Sequence, residues 1–474
     1  MIKDKTRILI NSSVVTLSTT LDKFIFVVIN IIIARYLSIE HFGEYTTALG
    51  YATFFSYFIN LGINLTIIRL ISIDPENEST HFGNALFTKA ALSIIVYGIM
   101  AISLLFTNYN NNTIKLILIF GIVRFSTQII TSFYSLFDSK EKFVLSSFFT
   151  FLFSFSFLTA TILIIVFNGT YFDFAYSRLV LVFILIIIIG FYTFKQFVIK
   201  IDLHKFKSFI LSVFTFTQHS IYSNIIDRVN ILILSLMQGT LYSGIFNNGF
   251  IFFSSLTFIP TNIGRVLAPY LYKIKFDKNP EKFQFTFDVF TKLFGVLSFY
   301  LFIIFFLYSD IFVPVIFGKK YLASIKVVQI VSFGIPFLFN IVPIIIRSLD
   351  KQEYNNRVHG IAAVINIISN IVFINYYKSE GAAIAMVTTF LAIFILSHAI
   401  LFKNGYIRLY NACFSYLSFI IITIICFSLK KYLLSDLFWV YSIICITISY
   451  LLLVLLFLVR KNDIRIFKES FGIR

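Results

Sequence analysis

The stretch "TTLDKFIFVVINIIIARYLSIEHFGEYTTALGYATFFSYFINLGI" (19–63) is echoed by "SNIIDRVNILILSLMQGTLYSGIFNNGFIFFSSLTFIPTNIG" (223–264). Each carries an acid–base pair, Asp22–Lys23 or Asp227–Arg228, inside an otherwise apolar run. Each continues through a short turn with Gly-Glu-Tyr (43–45) or Gly-Ile-Phe (244–246). A second apolar run then ends near Leu-Gly (61–62) or Ile-Gly (263–264). A charge at the centre of a membrane helix costs roughly 2.5–3.5 kcal/mol on insertion scales. Two such pairs at matching points imply an internal repeat built around charge, the alternative being chance similarity between two Phe/Ile-rich helix pairs.

The rest of the chain supports a membrane setting. Its 474 residues are 58% hydrophobic and 13% charged, with a mean hydropathy of +0.90, whereas soluble domains are nearer a quarter charged. Apolar runs of about 20 residues, the length that spans a bilayer, number fourteen: 8–33, 42–68, 83–107, 114–137, 143–167, 173–198, 208–238, 240–272, 287–309, 321–348, 355–377, 381–402, 408–429 and 434–459. The amino terminus "MIKDKTRILI" resembles a signal peptide, but its apolar stretch runs past Ile33 without a small-residue cleavage site. It reads as a retained first helix.

An even number of spans puts both termini on one side. Of the 39 Lys and Arg, 24 lie on that side and 7 on the other, so the positive-inside rule predicts cytoplasmic termini. The same asymmetry accounts for most of the +17 net charge, and no nucleic-acid partner is called for. Both matched stretches start on one side, which predicts parallel repeats about an axis along the membrane normal. The expected fold is therefore all-α, with two six-helix lobes around a central cavity, residues 1–200 and 201–405. Residues 406–474 add two accessory spans and a basic tail.

Enzyme chemistry has little to stand on. No connecting loop is much longer than 273–286, no G-x-x-x-x-G-K-[ST] occurs, and Cys413, Cys426 and Cys445 form neither a Cys-x-x-Cys nor a Cys/His cluster. No cofactor and no metal are expected, and a membrane polysaccharide polymerase or ligase would need a large extracytoplasmic loop.

Several segments resemble bacterial polysaccharide repeat-unit flippases of the multidrug/oligosaccharidyl-lipid/polysaccharide exporter superfamily. "ARYLSIEHFGEYTTALGY" (34–51) looks like their Ala-Arg-Tyr-Leu-Gly…Phe-Gly-x-Tyr signature, with Ser38 in place of the usual glycine. "DRVNILILSLMQGTLYSGIFNNGF", "PTNIGRVLAPYLYK", "VIFGKKYLAS" and "NIISNIVFINYYKSEGAAIAMVTT" are similar to their later segments, over about residues 8–405 in all. Phe246-Asn247 departs from the usual Tyr-Ser or Tyr-Tyr. The resemblance implies alternating-access movement of an undecaprenyl-pyrophosphate-linked oligosaccharide across the bacterial inner membrane. The product would be O-antigen or capsule. Partners would be that lipid-linked substrate, membrane lipid and other polysaccharide-assembly proteins. An ion-coupled small-molecule exporter of the same fold and a peptidoglycan-precursor flippase remain alternatives.

Apart from the 24 and 7 assigned to the two sides, eight basic residues remain: Lys23, Lys89, Arg124, Arg178, Arg228, Arg265, Lys292 and Lys326. By position, Lys89, Arg265 and Lys292 can snorkel to the cytoplasmic face, and Arg178 and Lys326 lie near outer ends. Lys23, Arg124 and Arg228 remain deep, against the deep acids Asp22 and Asp227. Guanidinium forks hold phosphate bidentately, so these three bases are the candidate pyrophosphate ligands and the two acids candidate gating or ion-coupling groups. Crossed pairing, Asp22 with Arg228 and Asp227 with Lys23, is expected if a two-fold axis relates the lobes. Ion pairs that merely fix helix packing are the competing reading. Arg35 and Arg69 suit interfacial anchoring as well as function. Pro260, Pro269, Pro336 and Pro343 are expected to kink spans eight and ten. His219, one or two turns from Asp227, is a proton-relay candidate.

Overall fold

The structure, a computed structural model, describes residues 2–195, 197–264, 267, 271, 280–349, 351–408, 410–432 and 439–458. All regular structure among these residues is helical. They form two compact units, residues 1–247 with 370–382, and residues 248–369 with 383–474.

The first unit contains α1 (Ile2–Tyr36), α2 (Ile39–Asn60), α3 (Ile63–Ile73), α4 (Glu78–Ser103), α5 (Asn111–Ser139), α6 (Phe143–Val166), α7 (Tyr171–Phe194) and α8 (Leu203–Gln238). It also holds the start of α9 (Thr240–Leu256). Polar residues at the turns set the helix starts. Ser38 accepts the His41 amide at 3.1 Å, Asn110 accepts that of Thr113 at 2.7 Å, and Thr170 and Asp173 form a capping box. At the amino-terminal face, Lys140 at the end of α5 bridges Glu78 at the start of α4 at 2.9 Å.

The expected run 42–68 is not one helix. Leu61 (φ 39°) and Gly62 (φ 87°) adopt left-handed dihedrals that separate α2 from α3. A glycine tolerates this conformation without strain, and the break leaves α3 to continue as a second amphipathic segment.

Near the distal end of this unit, the glycines of the two matched stretches meet. A Cβ on Gly244 would lie 3.0 Å from Gly43 Cα and 3.4 Å from the Ile39 carbonyl oxygen, while one on Gly43 would run into the Thr240 carbonyl. Ile39 precedes Gly43, and Thr240 precedes Gly244, by four residues. The contact is thus reciprocal, as a local two-fold relation between the stretches requires.

The second unit contains α10 (Pro280–Leu307), α11 (Ser309–Phe317), the broken run α12 (Ser324–Ser332), α13 (Ile335–Leu338) and α14 (Val342–Ser348), and most of α15 (Gln352–Lys403). It ends with α16 (Tyr410–Tyr432) and α17 (Trp439–Phe457). Pro336 and Pro343 sit in the first turns of α13 and α14, so each opens a new segment where its missing N–H costs nothing. The helices α16 and α17 pack on α10 through a core that includes Phe299, Phe302, Phe419 and Tyr450. Tyr308 Oη lies 2.7 Å from Ser442 Oγ, and Tyr450 donates to the Val296 carbonyl at 2.7 Å.

Among the described residues, ten helical runs are long and apolar enough to cross a membrane, or eleven with the bent run 324–348. One of these is α15, whose 52 residues contain a non-helical residue, Lys378 (φ 50°, ψ −122°). At about 1.5 Å per residue its length far exceeds a bilayer core of about 30 Å. Lys378 divides it at the expected boundary between runs 355–377 and 381–402. Runs 240–272, 408–429 and 434–459 include residues outside the described set.

Candidate functional site

Three arginines converge within the first unit. Arg124 lies on α5, thirteen residues or ~20 Å from its start, and Arg228 lies on α8, ten residues or ~15 Å before its end. Arg178 lies two turns into α7. The electrostatic neighbours of Arg124 are Arg178, Arg228, Tyr45 and Tyr57. Among the described residues no carboxylate lies within ion-pair distance of Arg124 or Arg178. The Nε of all three guanidiniums is buried and meets no acceptor in the protein.

Aromatic side chains frame these charges. The Arg178 guanidinium lies 4.2 Å from the centroid of the Phe157 ring, a cation–π contact that holds it in place. Tyr45 is fully buried between Arg124 and Arg178 and packs edge-on against Phe120. Tyr57, in the last turn of α2, is an electrostatic neighbour of both Arg228 and Arg124. Arg178 is 7% exposed, but Arg124 and Arg228 keep part of their surface open, and Asp227 is exposed. Buried donors without protein acceptors, beside open surface, form a site shaped for an anion.

The predicted acids fall differently. Asp227 is within electrostatic reach of Lys23 as well as Arg228. Asp22 instead accepts the Ser154 hydroxyl from α6 and has Tyr134 as an electrostatic neighbour. Among the described residues no ion pair joins Asp22 to Arg228. Lys23 is exposed. The side chain of His219, along with Arg265 and Pro269, lies outside the described residues.

Two groups depart from the positional reading, and a buried acid joins them. Arg178, assigned to an outer end, is buried against Phe157 beside Arg124. Lys89, expected to snorkel, has no exposed surface and donates to Asn64, Gln128 and Thr131. Glu44, in the expected Gly-Glu-Tyr turn, is a buried acid of α2, bonded by Asn110 Nδ2 at 2.5 Å. The turns expected at 43–45 and 244–246 are instead helical, inside α2 and α9, so the acid is carried into the packed interior rather than left in water.

The second unit holds an apolar cavity of about 590 Å³ among α10, α13, α15 and α16, lined by Phe299, Phe302, Phe337, Phe394, Tyr416 and Phe427 among others. Among the described residues no cluster of His, Cys, Asp and Glu is arranged to hold a metal ion.

Fold and site together define a multi-pass helical membrane protein with a cluster of three arginines inside its first unit. Its fold is that of the lipid II flippase MurJ in an inward closed conformation. The TM-score is 0.75 at 15% identity, covering 97% of this chain and 99% of that one. An inward-facing multidrug resistance MATE family transporter of the MOP superfamily gives 0.61 at 13% identity, over 82% and 97%. A MOP superfamily transporter from Pyrococcus furiosus gives 0.56 at 11%, over 83% and 95%. No curated protein matches the sequence. The chain belongs to the polysaccharide biosynthesis protein family, whose profile matches residues 8–275.

Proposed function

We propose that this protein moves an undecaprenyl-pyrophosphate-linked oligosaccharide repeat unit from the cytoplasmic to the outer leaflet of the bacterial inner membrane. It does so by alternating access between two lobes, 1–200 and 201–405, with both termini in the cytoplasm. The observation that carries this reading is the meeting of Arg124, Arg178 and Arg228 inside a membrane unit. Like charges held together away from water repel and lose hydration, at a cost of several kcal/mol. A pyrophosphate supplies acceptors for their forks and cancels that repulsion. Lys23, with Asp227 beside it, extends the basic surface, and Asp22 and Asp227 are the groups to gate it or couple it to an ion. The aromatic cavity of the second unit suits part of the polyprenyl chain. A cationic-drug exporter would want the opposite sign of charge.

A peptidoglycan-precursor flippase is the second reading, favoured by the likeness to MurJ along nearly the whole chain. Membership of the polysaccharide biosynthesis family favours the first. Either way the protein is a transporter rather than an enzyme. In the native host, Arg124→Ala or Arg228→Ala should abolish surface polysaccharide while protein level holds, with lysine restoring part of it. Normal polysaccharide in the double alanine variant would overturn the phosphate-binding role. Loss of cell-wall synthesis with intact surface polysaccharide would move the substrate to the peptidoglycan precursor.

A further inference from the structure

Lys89 is the one fully buried cation that the anion site does not itself use, among the described residues. It lies eleven residues into α4, or ~16 Å along the helix. Its ammonium donates to Asn64 Oδ1 at 2.6 Å, the Gln128 carbonyl at 2.7 Å and Thr131 Oγ1 at 3.1 Å. All three acceptors are neutral, so desolvation of the charge is offset by hydrogen bonds alone. A methionine would fill this space more cheaply, and the retained charge therefore points to what it holds.

The three acceptors lie on two elements that bear on the arginines. Asn64 is in the first turn of α3, directly after the left-handed break at Leu61–Gly62. Gln128 is one turn beyond Arg124 on α5, and residues four apart share a helix face. The break is also tied to α8: the Leu61 carbonyl, freed by the break, accepts Thr217 Oγ1 at 2.8 Å. Tyr57, one turn before Leu61, is an electrostatic neighbour of Arg228. The joint between α2 and α3 is thus fastened to two of the three arginine-bearing helices, to α5 through Lys89 and to α8 through Thr217.

We infer that Lys89 is a positioning residue for transport: it clamps the α2–α3 joint to α5, so that movement of Arg124 and Arg228 on anion capture changes the bend of α3. This rests on the anion-site reading above, but the clamp is measurable without any substrate. Spin labels at Ile73, the end of α3, and Lys142, just past α5, report the bend by pulsed EPR in the full-length protein in nanodiscs. The wild type should give one narrow distance distribution, and Lys89→Met should broaden or shift it. Should Lys89→Met fail to accumulate, Asn64→Leu cuts the link to α3 while leaving the ammonium its bonds to Gln128 and Thr131, and should produce the same shift. Both variants should lower surface polysaccharide at least tenfold at unchanged protein level. Wild-type distance distributions in both variants would overturn the clamp, and shifted distributions with wild-type polysaccharide would overturn its role in transport. Arg124→Ala should leave the distribution in place. If that variant also keeps full transport, the anion site fails while the clamp stands.

Discussion

At the scale of the residue, the proposed function rests on guanidinium groups whose buried Nε donors meet no acceptor in the protein. A hydrogen bond to a charged partner contributes about 1.5–3 kcal/mol, which is roughly 10- to 100-fold in affinity or rate. Arg178→Ala should therefore lower transport by about that factor, as a dose-dependent loss of surface polysaccharide at constant protein level. Unchanged transport would make Arg178 a packing residue held by Phe157. Arg124 and Arg228 were legible because both lie too deep for a long side chain to reach water. Arg178 was not, since two turns from a helix end is within snorkelling range on paper. What sequence does not show is the ring of Phe157 beneath it and Tyr45 beside it, which keep it inward. The same blind spot hid Lys89, whose acceptors come from two helices far apart from it in the chain.

At the scale of the element, close approach of α2 and α9 at Gly43 and Gly244 leaves no room for a side chain. In membranes such glycines let helix backbones touch. Gly43→Val should wedge the two first turns apart, with an overpacking cost of about 1–3 kcal/mol. Ser243, fully buried beside this contact, supplies the readout: Ser243→Cys should react faster with a membrane-impermeant thiol reagent in the Gly43→Val background. Equal rates in both backgrounds would show that the contact does not close this end. The matched glycines were visible in sequence as members of a repeat. Their contact was not, because a repeat states which positions correspond and not which ones the axis brings together. The break at Leu61–Gly62 was read only as a helix end, since "INLTIIRLISI" continues apolar beyond it.

At the scale of the whole molecule, the membrane class and helical architecture were legible because a bilayer imposes one requirement everywhere, long apolar runs with internally satisfied backbones. Orientation rests on the distribution of Lys and Arg and has its own test. Cysteines replacing Asn111 and Lys142, both exposed at opposite ends of α5, should label from outside and only after permeabilisation, respectively. The reverse pattern would invert the topology. The apolar cavity of the second unit left no trace in the sequence, because an aromatic lining and an aromatic core have the same composition.

The central claim is that the arginine cluster carries a lipid pyrophosphate across the membrane, and reconstitution tests it most directly. Purified protein in liposomes containing a fluorescent undecaprenyl-pyrophosphate-linked oligosaccharide is challenged with an impermeant quencher. Wild-type protein should expose nearly all of the probe to quenching, against about half in protein-free vesicles, where only the outer leaflet is reached. Liposomes with the Arg124→Ala/Arg228→Ala protein should match protein-free vesicles, and a non-phosphorylated polyprenyl glycoside should not move in either case. Equal movement of the pyrophosphate-linked probe by wild type and the double variant, or movement of the uncharged glycoside at the same rate, would contradict the claim.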